Sequence, residues 1–466
     1  MLDVSREDIV GGSLPKVLVV LAGPLVVQNF ALVAQEVVDL FWVGRLGGTA
    51  VAAVGLAAVL LGLLMVPFMM LFTGTQVLTS QHVGAEADVA ARRVPFTAAL
   101  LGVGVALVVG LGVLLAGDTL VGLFTGDEQV ARYAVGYLTA SILSFVTISV
   151  SDTLEAGFTG WGRTRVALFV NVVAILVNVV LDPLLILGIG PFPRLEVFGA
   201  ALATGIGYGV GALVAIAVLL RARSGFRLTR DAVRPDPATA REIVDVGAPI
   251  AGQNLGRHVA RLVVISVVAV AGGAAGLAAY HVGSRVATVA FVPAQGIAQA
   301  ATSVVGQNLG AERCDRARRA TWIGVAIAAV GLGCFGAVQW LVPEAIAHVF
   351  VPDLAGTDLA YTVAYLQILA YGYWALGAIY TVEAGFNGAG NTRVSMLSTL
   401  CQYWAVRVPI AVLGVYALGF GVTAIFWAIT LSNVAAALWL IGYFTVSTRR
   451  GMFGRAIEEP DAAAPG

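Results

Sequence analysis

The chain has little charge. Asp, Glu, Lys and Arg make up 12% of its 466 residues, against roughly 25% in an ordinary soluble domain. With 59% hydrophobic residues and a mean hydropathy of +0.91, that shortage excludes a soluble globule of this size. Lysine is nearly missing: Lys16 stands alone and every other basic residue is arginine. With the abundance of Ala, Val and Gly, this reads as the coding bias of a GC-rich genome. The formal net charge is zero and the basic residues sit in short loops, so no basic face for nucleic acid is expected. The three cysteines, Cys314, Cys334 and Cys401, are scattered, which excludes a disulfide framework or a cysteine metal site. His82, His281 and His348 have no partner spacing, and no Asp-rich run is present. An intramembrane metal-dependent transferase would need such clusters, so the chain is not expected to be an enzyme or to hold a cofactor or metal. The start, "MLDVSREDIVGG", is polar and acidic where a cleavable signal would be basic. The first apolar segment therefore reads as a retained span.

Long apolar runs are what the sequence does have. A membrane span takes about 20 mainly apolar residues. Twelve such segments are predicted, near 15–44, 50–82, 95–116, 130–157, 166–190, 197–220, 242–272, 275–308, 321–342, 357–386, 394–418 and 420–446. They are continuously apolar, whereas the strands of a membrane barrel alternate and are about ten residues long. The expected fold is an all-α membrane protein of twelve transmembrane helices in two six-helix bundles. Arginine placement gives orientation. The loops after spans two, four, six, eight and ten, with both termini, hold twenty of the 27 basic residues; the opposite loops hold only Arg45, Arg132 and Arg194. Both termini are therefore expected in the cytoplasm, and an odd span count would scramble the pattern.

The two halves repeat each other. "SQHVGAE" (80–86) closes span two and "GQNLGAE" (306–312) closes span eight; "LEAGFTGWGRTR" (154–165) ends span four and "VEAGFNGAGNTR" (382–393) ends span ten; "GLAA" occurs at 55–58 and 276–279. Three matches in the same order imply a six-span duplication. Six is even, so the repeats run parallel, related by an axis along the membrane normal. The reading is an N-terminal lobe (1–220), a cytoplasmic linker (221–241) with Pro235 and Pro237, a C-terminal lobe (242–447) and a cytoplasmic tail (448–466). A substrate cleft between lobes that rock in alternating access is expected. The glycines at 157, 160 and 162, and at 385, 388 and 390, are read as turn formers.

Carboxylates inside the spans are the strongest functional signal, because each costs on the order of 3 kcal/mol or more at mid-membrane. Span one carries Glu36 and Asp39 in "AQEVVDLFWVG". Counting from the outer ends, Asp39 lies about five residues in, Asp182 of span five about eight, and Tyr137 of span four about seven. At about 1.5 Å per residue these share one depth. Asn178 is one turn before Asp182 on the same face, and Pro183 follows as a weak point in the helix. Burial penalises the charged form of any carboxylate, and a second acid nearby penalises it further, so such a pair suits proton uptake and release. Glu36 is equally open to a role at the lipid or in an ion pair. Asp152 and Glu155 of span four could form an inner stage of a relay, although the repeat-mate Glu383 points to an architectural role for Glu155. Arg257 and Arg261 are one turn apart on span seven and, with His258, make the second lobe basic where the first is acidic. They balance those acids or meet an anionic group. Tyr371, Tyr373 and Trp374 either line a cleft for flat cations or pack.

These motifs resemble the multidrug and toxic compound extrusion family. The resemblance is carried by "VDLFWVGRLG", the QHVGAE and QNLGAE pair, "GFTGWGRTR" with "GFNGAGNTR", "VLDPLLILG", "FVPAQGIAQA" and "VRVPIA", and covers residues 12 to 447. It implies a multi-pass exporter in the plasma membrane, acting as a monomer on small organic, mostly cationic compounds in exchange for protons or sodium. Some lineages of that family carry an acidic site in the second lobe. Here Arg257 stands at the span-seven position of their glutamate, and "YWALGAIY" in span ten has no carboxylate. The chain is more similar to the archaeal and DNA-damage-inducible branch, whose coupling site lies in the first lobe. That branch implies a site of Asp39, Tyr137, Asn178 and Asp182, joined by Thr204 and by Asp152, which stands where an asparagine is usual. A flippase for lipid-linked saccharides, with an anionic cargo, is the alternative.

Overall fold

The computed structural model describes residues 4–221 and 232–454. Most of the linker, 222–231, and the end of the tail, 455–466, lie outside the described residues. The described residues are helical, without strands. Continuous apolar sequence in lipid leaves the backbone no partner but itself, and the α-helix satisfies every interior N–H and C=O within one segment.

Spans one and three to six are single helices: Leu14–Gly44, Asp88–Gly122, Glu128–Gly160, Thr164–Leu187 and Glu196–Arg221. Span two is a bent pair, Gly48–Leu64 and Val66–Gly84, turning by 48° at Met65. In the second half, helix Pro237–Gly310 runs for 74 residues, over 100 Å at about 1.5 Å per residue and so far beyond one bilayer. Gly273, at φ 54° and ψ −145°, breaks it into spans seven and eight. Cys314–Leu341 is span nine. Span ten is a second bent pair, Gly356–Ala370 and Tyr373–Gly388, again at 48°. Thr392–Ala417 and Gly421–Arg449 complete twelve spans among the described residues. Span five stays one helix through Pro183.

The chain divides into two compact units. One carries the described residues of Met1–Arg6 and Val27–Ala251, the other those of Glu7–Val26 and Gly252–Gly466. The cuts fall inside spans one and seven. In the first unit, a Cβ on Gly74 of span two would run into the Ile243 backbone of span seven. In the second, a Cβ on Gly296 of span eight would meet Val26 N of span one at 2.9 Å. Each unit thus includes the opening half of a span whose remainder belongs to the other.

The sequence repeat is also a repeat of turns. Glu86 (φ 59°) and Glu312 (φ 58°) both adopt the left-handed conformation after their spans end, and Ala87 N→His82 O (2.9 Å) matches Arg313 N→Asn308 O (2.7 Å). Gly162 (φ 78°) and Gly390 (φ 75°) close the other pair, with Arg163 N→Phe158 O (2.8 Å) matching Asn391 N→Phe386 O (2.9 Å). These are Schellman-type ends, where glycine avoids the Cβ penalty of the left-handed region. The other four motif glycines are not in the turns. A Cβ on Gly160 would lie 2.8 Å from Gln76 O, and one on Gly388 would lie 2.8 Å from Thr302 O; Gly157 and Gly385 abut Pro95 and Thr321. Small residues let backbones approach in a membrane, so these four serve helix packing.

Span seven begins with Asp236 as N-cap and Pro237 as first residue. Asp236 accepts from Thr239 Oγ1 (2.8 Å), Ala238 N (3.2 Å) and Thr239 N (3.4 Å), and Arg93 lies 3.7 Å away. The Thr239 hydroxyl bond above all holds this carboxyl below the usual carboxylate range. A depressed native value gives stability that is present above the unfolded value, near 3.9, and is lost as pH falls through the folded one. Asp236→Ala is expected to cost about 1 kcal/mol at pH 7, a difference that shrinks below about pH 4, read by thermal unfolding in detergent at both pH values.

Candidate functional site

Three helices of the first unit each present two polar side chains one turn apart: Gln35 and Asp39 on span one, Asn178 and Asp182 on span five, Thr204 and Tyr208 on span six. Spacing of i, i+4 puts each pair on one face. Spans five and six approach closely because span six is small along that side. A Cβ on Gly207 would meet Ala174 O at 2.6 Å and Asn178 Cβ at 3.1 Å; one on Gly199 would meet Leu185 O at 2.6 Å.

Asp182 is fully buried, Asn178 is 1% exposed and Gln35 6%; Asp39 is half-buried. The Asp39 and Asp182 carboxyl groups lie within hydrogen-bonding reach of each other. The Asn178 amide serves both. In one orientation its nitrogen donates to Asp182 Oδ1 and to Thr204 Oγ1, each at 3.3 Å. Turned over, its nitrogen donates to Asp39 Oδ1 at 3.0 Å while its oxygen accepts from Thr204 N (3.2 Å) and Thr204 Oγ1 (3.3 Å). Asp182 Oδ2 is buried with no donor among the described residues. Tyr137 lies within electrostatic range of Asp39, Asp182 and Glu36 and packs with Val43 and Ile186. Glu36 is exposed and acts on Asp39 through space.

Asp152 and Glu155 form a second group. Glu155, 5% exposed, accepts from Gln28 Nε2 (2.9 Å) and Ser151 Oγ (3.2 Å). Asp152 is half-buried and close enough to Glu155 to act on it electrostatically. Tyr208 lies within electrostatic range of Asp152 and Glu155 and also of Asp39 and Glu36.

The second unit repeats the Glu155 contact. Gln253 Nε2 reaches both carboxylate oxygens of Glu383 at 3.3 Å and Thr399 Oγ1 at 2.7 Å, and Thr399 donates to Glu383 at 3.3 Å. A glutamate tying span four to span one, and span ten to span seven, is common to both halves, which fits an architectural role. Among the described residues of the second unit the acid pair has no counterpart.

Of the eight residues singled out in the sequence, Asp39, Asp182, Asn178, Thr204 and Tyr137 come together. Asp152 and Glu155 sit apart, and Glu36 lies at the edge. Sequence reasoning passed over Gln35, Gln28 and Tyr208. Gln35 and Tyr208 are each one turn from a chosen residue, so the spacing that joined Asn178 to Asp182 would have found them. Among the described residues no three His, Cys, Asp or Glu side chains form a metal-binding group.

A family model described as MatE matches residues 24–184 and 249–413. The "Probable multidrug resistance protein NorM" of Deinococcus radiodurans is 30% identical over 441 residues, covering 92% of this chain and 95% of that protein. Its namesake in Pseudomonas aeruginosa is 28% identical over 448 residues, covering 93% and 90%. Among solved structures, a MATE protein in a bent conformation superposes with a TM-score of 0.89 at 22% identity, over 97% of this chain and 99% of that one. A MOP superfamily transporter from Pyrococcus furiosus gives 0.88 at 23% identity, over 95% and 97%. At these identities the structural likeness speaks for the fold.

Proposed function

The chain belongs to the MatE family, and from that premise we propose that it is a multidrug efflux antiporter, exchanging protons for small organic, mainly cationic compounds by alternating access. The observation that carries this reading is the pairing of Asp39 with Asp182 around a shared amide donor, with Asp182 Oδ2 buried and lacking a donor. Two carboxylates accept only; a proton on either one supplies the donor both need. A cationic cargo answers the same pair by charge. Proton and cargo therefore compete for one negative site, which is the requirement of exchange.

The side chains divide the work. Asp39 and Asp182 hold the proton. Asn178, seated by Thr204, hands its N–H to whichever carboxylate is charged. Tyr137 and Tyr208 flank the pair, and Tyr208 with Asp152 offers a route toward Glu155. Pro24 removes one backbone bond within span one, which lets that helix bend when Asp39 changes charge. Both termini lie in the cytoplasm of a plasma-membrane protein by the arginine pattern, the working unit is a monomer, and the moving lobes are 1–220 and 242–447. Relatives named for multidrug resistance favour drugs over the lipid-linked saccharides of a flippase.

The test is ethidium transport by purified protein in liposomes. A pH gradient is expected to drive uptake against the dye gradient, and a sodium gradient at constant pH is not. Transport driven by sodium alone, or by neither gradient, defeats the proton reading.

A further inference from the structure

The second unit contains a cavity of about 280 Å³ with the opposite polarity. Arg257 and Arg261 line it from span seven, and Arg407 from span eleven, where it ends a π-helical stretch, Cys401–Arg407. Such stretches widen the helix and frequently mark functional positions. Arg407, 8% exposed, donates from Nε to Ser432 Oγ (2.9 Å) and from a terminal nitrogen to Asn433 Oδ1 (2.7 Å); its guanidinium lies 3.9 Å over the Tyr403 ring. Arg257 lies beside the Tyr380 hydroxyl and interacts with it. All these partners are neutral. Among the described residues no carboxylate lies within ion-pair distance of the three arginines. The acid that acts on Arg257 through space is Glu383, whose oxygens are already occupied by Gln253 and Thr399. Three guanidiniums against one carboxylate leave the lobe with excess positive charge, and charge inside a membrane is ordinarily paired.

The excess follows the repeat. Gln28 and Gln253 make the same bond to their glutamates, and eight residues further along each helix stand Glu36 and Arg261. The duplication keeps the tether and inverts the charge. Aromatic rings, Phe291, Tyr365 and Tyr403 among them, form much of the wall. The volume equals that of about nine waters, room for one flat bicyclic molecule.

We propose that this cavity is a binding site for a planar aromatic anion, its oxyanion bridging Arg257, Arg261 and Arg407 and its ring lying among the tyrosines. Guanidinium forks match carboxylate and other oxyanions in two-bond geometry. The proposal concerns a site separate from Asp39 and Asp182 and does not rest on proton exchange.

The experiment is calorimetric titration of 2-naphthoate into the purified full chain, in detergent and in nanodiscs of phosphatidylcholine with and without phosphatidylglycerol. In detergent, 2-naphthoate is expected to bind at least about tenfold more tightly than 2-naphthylmethylammonium, and Arg257→Gln and Arg261→Gln each to weaken it about tenfold or more. Arg261 is exposed, so its variant keeps the test valid if Arg257→Gln misfolds. If phosphatidylglycerol abolishes naphthoate binding at matched ionic strength, the arginines hold a lipid phosphate and the proposal of an aromatic ligand is overturned; if binding persists, the ligand is a soluble aromatic anion. The proposal is overturned if the cation binds as well as the anion, if naphthoate affinity is unchanged in Arg261→Gln, or if no naphthoate binds in detergent. Dye transport is not read, so failure here leaves the exchange reading untouched.

Discussion

Replacing Asp39 by Asn is expected to stop pH-driven dye uptake, lowering the initial rate by about a hundredfold or more, while leaving the protein folded. The substitution keeps the shape of the side chain and removes its capacity to take up a proton. Asp39 is half-buried, and its neighbour Asn178 can turn its amide oxygen to meet the new donor, so no orphan is created. Asp182→Asn should give the same transport loss, with a larger change in melting temperature, because Asp182 is fully buried and already has one oxygen without a donor. Two residues acting as one unit are not additive, so the double variant should be no slower than either single one. Full transport in Asp39→Asn, measured as initial rate in liposomes at matched protein, would remove the basis of the proposed exchange.

The acid pair was legible because membrane depth can be counted. Asp39, Asp182 and Tyr137 come from three spans, yet each lies a similar number of residues from the end that the arginine pattern predicts to be outer. The span count was legible for the same reason, since hydropathy and the arginine pattern test it separately. Contacts set by another helix were not. Gly160 and Gly162 look alike in the sequence, but one faces Gln76 O and the other closes a left-handed turn; only the neighbour distinguishes them. The breaks at Met65 and before Tyr373 leave no interruption in hydropathy, so spans two and ten read as straight. Tyr208 went unnoticed because a tyrosine on an apolar helix is ordinarily packing, and its nearness to four acids depends on how spans four and six pack against span one.

Gly207→Val is expected to lower both stability and transport, since Gly207 carries no chemistry and fixes the place of a residue that does. A Cβ there would stand 2.6 Å from Ala174 O and 3.1 Å from Asn178 Cβ. Neither neighbour is the flexible end of a side chain, so spans five and six must separate. Overpacking of this kind costs about 1–3 kcal/mol. Separation also draws Thr204 away from the Asn178 amide, which it meets at 3.3 Å, and leaves that amide without the partner that orients it between the two acids. Melting temperature and pH-driven uptake should therefore fall together. Gly104→Ala is the control, because nothing lies within 4 Å of a Cβ at that position, and removing a helical glycine there should raise stability by up to about 1 kcal/mol with transport intact. A Gly207→Val protein that melts lower but still couples at the normal rate would mean that Asn178 holds its place without span six, and that Thr204 has no part in the exchange.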